Sequence, residues 1–179
     1  MTTSTPDGEL DAEVKPATAA AAVRFRAASP ADAPAITAVF LASRAATMPY
    51  LPRLHSDEDT LAWITHVVLA ESRVWVAEQQ PGGGIVGFAA LTGAELEHLY
   101  LHPDVLRQGI GTKLLHQVRE VCPHELTLHV FQRNFRARAF YEARGWEAVE
   151  FNDGSRNEEN EPDATYRLRA AVPPDVVSP

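Results

Sequence analysis

The sequence predicts one α+β domain with seven strands and about four helices. Three observations support this prediction: 179 residues suit a single domain, 45% apolar content is enough for a core, and short alternating segments are interspersed with longer amphipathic ones. Residues 1–22 are rich in Thr, Ala, Pro and acids without apolar periodicity, and Pro173 and Pro174 end the patterned region. We therefore expect a domain at 23–170 between two disordered tails, at 1–22 and 171–179.

A strand and two helices are expected first. Val23–Arg26 alternates between apolar and polar side chains, as a half-buried strand does. Ser29 suits the N-cap of a helix that extends to about Ala46, because a proline follows it at the first helical position. Ser56, with Asp59 three residues later, has the spacing of a capping box and predicts the start of the second helix.

Three further strands lead to a loop that contains glycines. Val74–Ala77 and Ile85–Ala89 have the composition of strands, and the Pro-Gly-Gly-Gly sequence at 81–84 favours a turn between them. A fourth strand is expected from about Ala94 to His102. The glycine loop, at 105–111, follows this strand and opens the next helix.

Two helices and three strands are expected in the second half of the domain. The helix after the glycine loop carries an apolar stripe, which consists of Ile110, Leu114, Leu115, Val118 and Val121. Leu126–Val130 alternates as a fifth strand, and Asn134 can cap a helix that ends at Gly145. Residues 146–151 and 164–169 are expected to form the last two strands.

The glycine loop has the character of a phosphate-binding site. Gly109 and Gly111 lie where a strand meets a helix, and the first turn of a helix offers unpaired N–H groups and a partial positive charge. Leu114 stands where a dinucleotide fingerprint needs Gly or Ala, and the single residue between the glycines is too few for a nucleoside triphosphatase loop. We expect a phosphorylated ligand on the backbone amides of 107–112, with a further hydrogen bond from the Thr112 hydroxyl.

A second motif, at residues 134–146, reads Asn-Phe-Arg-Ala-Arg-Ala-Phe-Tyr-Glu-Ala-Arg-Gly-Trp. Together the two motifs resemble those of the GNAT superfamily of N-acetyltransferases, Gln/Arg-x-x-Gly-x-Gly/Ala and Asn-x-x-Ala-x-x-Phe-Tyr-x-x-x-Gly-Phe. The chain departs from the family at two places: Leu106 stands at the Gln/Arg position, with Arg107 next to it, and Trp146 replaces the final Phe. The resemblance covers about residues 23–170 and implies a three-layer α/β/α fold with a mixed seven-stranded sheet.

The resemblance also implies acetyl-coenzyme A as a co-substrate. Coenzyme contacts are expected from the fourth strand, the glycine loop and the fourth helix, and the residues are Leu99, Tyr100, Leu101, Arg107, Gln108, Gly109, Ile110, Gly111, Thr112, Asn134, Ala137 and Tyr141. Helical spacing puts the last three on one face. In the family, backbone amides of the fourth strand polarise the acetyl carbonyl, and the same strand pairs with the pantetheine arm, which requires the fifth strand to splay away.

Tyr141 and Glu97 are the candidate catalytic residues. Tyr141 can protonate the departing thiolate, because an unperturbed phenol has a pKa of about 10 and a thiol one of about 8.5. Strand alternation puts Glu95 and Glu97 on one face, together with the leucines at 99 and 101, unless a bulge intervenes. The family often has its base at the place of Glu97, so we choose Glu97 over Glu95. His98 is expected on the opposite face, packed or solvated.

We therefore expect an N-acetyltransferase in which a primary amine attacks acetyl-coenzyme A directly in a ternary complex. Two alternatives stay open: a coenzyme A-binding regulatory or partner-binding module without catalysis, and an enzyme with a nucleotide cofactor. The presence of both Glu97 and Tyr141 argues against the first. The acceptor, a small-molecule or peptide amine, is expected beside the connection at 48–55 and the acidic loop at 157–163.

Charge and composition argue against several other classes. Most of the net charge of −8 lies in 1–22 and 153–163, so the domain body is nearly neutral and lacks the basic stripe that nucleic acid needs. No apolar run approaches the ~20 residues of a membrane span, and the acidic start is unlike a secretory signal, so we expect a cytoplasmic protein with no membrane partner. Cys122 is expected to pack in a helix, and the seven histidines lack metal-ligand spacing, so no metal is expected. Monomer and homodimer are equally compatible with the sequence.

Overall fold

The computed structural model describes residues 22–169, in which seven strands form one mixed sheet. The sheet has the order β1-β2-β3-β4-β5-β7-β6, and among the described strands only the β4–β5 pair is parallel. The strands are β1 (Val23–Ala27), β2 (Arg73–Gln79), β3 (Ile85–Thr92), β4 (Glu95–Leu101), β5 (Leu126–Phe131), β6 (Glu147–Asn152) and β7 (Asp163–Leu168). The predicted tails lie outside the described residues, except for Ala22.

Four helical segments flank this sheet. They are α1 (Ala33–Thr47), then α2 (Asp57–Trp63) continued by a π-helical turn (Ile64–Val68) and α3 (Leu69–Glu71), then α4 (Ile110–Val121) and α5 (Phe135–Glu142). Within the described part of the chain, no helix is both long enough and apolar enough to cross a membrane. The predicted fold class, with seven strands and about four helices, is confirmed.

The two faces of the sheet carry separate hydrophobic cores. Leu114 of α4 and Leu128 of β5 are fully buried in one core, on the side covered by α4 and α5. Ile36 of α1, Ile64 of the π-helical turn and Phe88 of β3 are fully buried in the other. A fully buried aliphatic side chain contributes roughly 1.5–3 kcal/mol to folding, so both helical layers are held mainly by such contacts.

Side-chain caps fix the starts of the first two helices. The Asp59 amide donates to Ser56 Oγ at 3.0 Å and the Ser56 amide donates to Asp59 Oδ2 at 3.3 Å, so the predicted capping box is present. Ser29 forms a similar box with Asp32, but the first turn, Pro30–Asp32, is a 3-10 helix. The α-helix therefore begins later than predicted, at Ala33.

The predicted apolar stripe of α4 is wrong at its last position. Ile110, Leu114, Leu115 and Val118 are buried, whereas Val121 is 43% exposed. Val121 is the final residue of α4, and the chain turns out of the helix at Cys122, whose side chain packs against the core instead. Cys122 thus packs as expected, but it is only partly buried and lies at the C-cap, just beyond the helix.

The divergence of β4 from β5 opens the gap in which the candidate site lies. The strands are aligned at one pair, Glu95 with Thr127, and then separate toward their carboxyl ends. β4 also has a bulge, because Leu96 lies opposite Leu91 and the next aligned pair is His98 with Ala90. The intervening residue, Glu97, has no opposite partner, so side-chain alternation along β4 shifts by one residue at this point.

Candidate active site

The larger of two adjoining cavities has a volume of about 620 Å³ and lies between β4, the first turn of α4 and α5. It is lined by every predicted coenzyme residue except Gln108, namely Leu99, Tyr100, Leu101, Arg107, Gly109, Ile110, Gly111, Thr112, Asn134, Ala137 and Tyr141. The Gln108 side chain turns away, and its Nε2 donates to the Asp104 carbonyl at 3.2 Å. This bond closes the turn that precedes α4.

The backbone of the glycine loop is shaped to receive an anion. Arg107 and Gly109 both have positive φ angles, 64° and 79°. Such angles are easy for glycine and uncommon for arginine, and turns that include left-handed residues gather successive N–H groups into an anion-binding nest. Gly109 is also the N-cap of α4 and has no side chain to occupy the first-turn N–H groups, which are therefore available to a ligand.

Gly111 allows α4 to pack closely against β4 and α5. A Cβ atom at this position would lie 3.3 Å from Leu101 Cδ1 and 3.4 Å from Phe140 Cζ. Both distances are shorter than ordinary carbon–carbon contacts of about 3.5–4.0 Å. Gly111 thus allows the first turn of α4 to pack closely, whereas Gly109 is needed for its left-handed backbone conformation.

Three arginines line the larger cavity, and none of its lining residues in the described chain is acidic. Arg107 was predicted, whereas Arg136 and Arg144 were not, because the family motif leaves both positions free. The Arg144 guanidinium carbon lies 3.8 Å from the centroid of the Phe140 ring, and its Nη2 donates to Thr112 Oγ1 at 2.7 Å. The only sequence signal for this contact is the spacing of four residues from Phe140.

Asn134, Ala137 and Tyr141 lie on one face, as predicted, and line both cavities. Asn134 Oδ1 caps α5 by accepting from the Ala137 amide at 3.1 Å, which leaves the side-chain N–H groups for a ligand. Tyr141 is 8% exposed, and its ring centroid lies 5.2 Å from that of Phe140 and 5.5 Å from that of Trp146. Trp146 therefore takes the place of the usual phenylalanine as the packing partner of the phenol.

Burial changes the acidity that the sequence suggested for Tyr141. Loss of solvent raises the pKa of Tyr141 well above its ordinary value of about 10, and Tyr100 acts in the same direction. The assumption of an unperturbed phenol is therefore wrong. The phenol is fully protonated at neutral pH, and its pKa lies further above that of a thiol than expected. Such a group is well suited to donate a hydrogen bond to sulfur as negative charge develops there.

The smaller cavity has a volume of about 180 Å³ and adjoins the larger one along a common wall. Both cavities are lined by Met48, Leu99, Tyr100, Asn134, Ala137 and Tyr141. The ionisable residues found only in the smaller cavity are Glu97, His129 and Asp163, and no lysine or arginine of the described chain lines it. Arginines thus line the larger cavity, whereas carboxylates line the smaller one, and Tyr141 lines both.

The predicted arrangement of Glu97 is corrected by the bulge in β4. Leu96, and not Glu97, joins the leucines at 99 and 101 in the core beneath α4. Glu97 is exposed and accepts a hydrogen bond from Ser72 Oγ at 3.1 Å, whereas Glu95 Oε1 lies 3.6 Å from His129 Nε2. Glu97 nevertheless lines the smaller cavity, in contrast to Glu95.

His98 packs within an aromatic cluster on the face covered by α1. Its ring centroid lies 5.2 Å from that of Trp63 and 6.1 Å from that of Tyr100. Burial lowers the pKa of His98 to about 4, although the neighbouring Glu97 acts in the opposite direction. His98 is therefore neutral at physiological pH, which agrees with the expectation of a packed residue.

The two segments expected beside the acceptor meet each other in the structure. His55 Nε2 lies 2.8 Å from Glu158 Oε2, and so joins the connection after α1 to the loop between β6 and β7. The same loop is anchored by Arg44, whose Nη2 lies 2.6 Å from Glu159 Oε1, and by Arg133, whose Nη1 lies 3.5 Å from Glu161 Oε2. Arginines thus neutralise part of the predicted acidic loop.

The chain is similar to acetyltransferases over much of its length. A family model described as an acetyltransferase (GNAT) domain matches residues 70–148. Over 127 residues the chain is 31% identical to the peptidyl-lysine N-acetyltransferase YiaC of Escherichia coli (strain K12), a match that covers 70% of this chain and 84% of that protein. Over 117 residues it is 32% identical to the peptidyl-lysine N-acetyltransferase YjaB of Salmonella typhimurium, which covers 64% of this chain and 76% of that protein.

Solved structures show the same architecture. The solution structure of apo-form YjaB from Escherichia coli aligns with a TM-score of 0.69 at 23% identity, covering 84% of this chain and 99% of that one. The crystal structure of the PaiA N-acetyltransferase from Thermoplasma acidophilum in complex with coenzyme A aligns with a TM-score of 0.64 at 20% identity, covering 83% and 99%. These two likenesses concern the fold alone. The two motifs, the family match and the extent of the similarity to YiaC show that the chain belongs to the GNAT family and is an acetyltransferase.

Proposed function

We propose that the chain transfers the acetyl group of acetyl-coenzyme A to a primary amine, by direct attack while both substrates are bound. The observation that carries this proposal is that two cavities of opposite charge share a wall that contains Tyr141. Since the relatives YiaC and YjaB are named peptidyl-lysine N-acetyltransferases, we propose a lysine side chain of a peptide or protein as the acceptor.

The larger cavity suits the phosphates of the coenzyme. Backbone N–H groups of 107–112 form the nest, and three arginines supply positive charge around it. Thr112 Oγ1 accepts a hydrogen bond from Arg144, so the hydroxyl hydrogen of Thr112 is free to donate to a phosphate oxygen. The absence of carboxylates among the described lining residues means that no lining charge repels the phosphates.

β4 is proposed to hold the acyl end of the coenzyme. After Glu95 this strand has no aligned partner on its β5 side, so backbone groups from Leu99 to Leu101 are open to the pantetheine arm and the acetyl carbonyl. When bound, the thioester supplies an acetyl group activated for transfer. Backbone donors held in a sheet polarise a carbonyl without having to reorganise first.

Glu97 and Tyr141 are proposed to handle the two protons of the reaction. The amine nitrogen bonds to the carbonyl carbon as the carbon–sulfur bond breaks. Glu97 receives the proton that the nitrogen loses, through a water molecule. The Tyr141 hydroxyl donates a hydrogen bond to the departing sulfur and passes a proton to it as the phenol regains one from solvent. The exposure of Glu97 is compatible with such a water, and Tyr141 lines both cavities.

The experiment that tests this proposal is thiol release from acetyl-coenzyme A in the presence of lysine-containing peptides, with mass spectrometry to locate the acetyl group. We expect coenzyme A and peptide acetylated on lysine Nε to form in equal amounts. Coenzyme binding in calorimetry without turnover of any amine would instead identify a binding module.

A further inference from the structure

Several acids on the loop between β6 and β7 and on β4 have a basic side chain close to them. Glu159 pairs with Arg44, Glu161 with Arg133, and Glu158 with His55. Glu95 likewise lies near His129. Glu97 and Asp163, the two acids that line the smaller cavity, differ from them: within the described residues no lysine, arginine or histidine nitrogen lies within ion-pairing distance of either carboxylate.

Neutral amides hold the Asp163 carboxylate in place. Asn152 Nδ2 donates to Asp163 Oδ1 at 2.9 Å, and Asn157 Nδ2 donates to Asp163 Oδ2 at 2.9 Å. Each oxygen therefore has one donor and retains capacity for another. Because amides carry no net charge, these bonds orient the carboxylate without neutralising it.

The position of Asp163 on β7 places it on the side of the sheet opposite α5. Tyr166 is on the α5 side, since its hydroxyl donates to Glu142 Oε1 at 2.6 Å. Alternation along β7 puts Asp163 and Thr165 on the other side, where Thr165 Oγ1 lies 3.3 Å from His129 Nδ1. Asn157, from the loop between β6 and β7, covers this side beside Asp163.

We propose that the Asp163 carboxylate recognises the protonated amine of the acceptor and makes the site selective for strongly basic primary amines. This inference rests on the proposed function. A lysine ammonium, with a pKa of about 10.4, is almost fully charged at neutral pH and so differs in charge from weakly basic nucleophiles that are neutral there. An ammonium bound by a fixed carboxylate that has no basic partner forms a charge-assisted hydrogen bond. The ammonium loses one proton to water before it attacks, and Glu97 receives the second proton, through water, as the amide forms.

Steady-state kinetics with matched peptides test this inference. At saturating acetyl-coenzyme A, the peptide acetyl-Gly-Gly-Lys-Gly-Gly-amide is compared with its aminooxy isostere, a nucleophile that is uncharged at neutral pH. For Asp163→Asn we expect KM of the lysine peptide to rise roughly 10- to 100-fold, as expected for loss of a hydrogen bond to a charged group. The KM of the aminooxy peptide and the coenzyme Kd should stay within about twofold, since neither includes that ammonium.

The control is Asp153→Asn, because Asp153 lies in the loop that precedes Asp163, accepts a hydrogen bond from the Ser155 amide at 3.0 Å and does not line the cavity. If Asp163→Asn does not fold, the inference is tested on the unaltered protein, which should have a much lower KM for the lysine peptide than for its isostere. An equal KM for both peptides, or an unchanged KM in folded Asp163→Asn, overturns the inference. A fall in kcat alone would assign Asp163 as a base and also overturn it. Lack of turnover with every peptide refutes the proposed function itself, and this inference with it.

Discussion

The two cavities differ in charge although they share one wall. The larger cavity is lined by three arginines and the amino end of α4, and the smaller one by Glu97 and Asp163. A polyanionic coenzyme and a cationic amine would therefore each meet complementary charge. Local charge distinguishes the two cavities, whereas the net charge of −8 does not.

Removing the phenol at the shared wall should have the largest effect. Tyr141→Phe is expected to lower kcat by roughly 10²–10⁴-fold, the usual contribution of a positioned acid, with the coenzyme Kd unchanged in calorimetry. Tyr166→Phe is the control, because Tyr166 is also buried but its hydroxyl binds Arg138 and Glu142. Normal turnover in Tyr141→Phe would remove this residue from the mechanism.

Acid should destabilise the face of the sheet that carries His98. The pKa of His98 is about 4 in the folded state and 6.5 in the unfolded chain. The unfolded chain therefore binds more protons than the folded one as pH falls through this window. The neighbouring groups Glu97, Arg44 and Tyr100 are the other titratable groups that influence this region. His98 should remove on the order of 3 kcal/mol of stability between pH 6.5 and 4 and little below that.

Denaturant unfolding at several pH values measures this loss. His98→Phe, which cannot be protonated, should have a flatter stability profile in the same window. The control is His116→Phe, because His116 is exposed on α4. An equal acid dependence in His98→Phe and the unaltered protein would contradict the assignment.

Removing one positive charge from the larger cavity should weaken coenzyme binding and leave acceptor binding unchanged. Arg144→Ala is expected to raise the coenzyme Kd roughly 10- to 100-fold, because it removes charge-assisted hydrogen bonding near the phosphates. Arg138→Ala is the matched control on α5, since Arg138 binds Tyr166 and does not line the larger cavity. Isothermal titration calorimetry with coenzyme A measures the Kd of each variant. Equal affinities for both variants would exclude Arg144 from the site.

The smallest expected effect concerns the shape of the nest. Gly109→Ala forces a side chain into a φ of 79° and should cost about 1 kcal/mol of folding stability. Coenzyme binding should weaken as well, because the loop backbone must adjust. Thermal unfolding with and without coenzyme A measures both effects, and a variant with unchanged stability and affinity would show that the left-handed turn is not required.

Local signals predicted most of the fold, and contacts between elements account for the errors. The capping box at Ser56 and the cap at Asn134 depend on neighbours within three residues, so the sequence reveals them directly. The bulge at Glu97 depends on the register of β4 against β3, and no pattern within β4 specifies it. Arg144, just beyond the end of α5, contacts Thr112 of α4, and the family motif leaves its position free.

The central claim is that both substrates occupy their cavities together and react directly. Its most direct test is an initial-rate study in which acetyl-coenzyme A and a lysine peptide are varied against each other. Direct transfer should give double-reciprocal lines that intersect, and no acetylated protein in the mass spectrum when the peptide is omitted. Parallel lines, together with an acetylated protein, would contradict it.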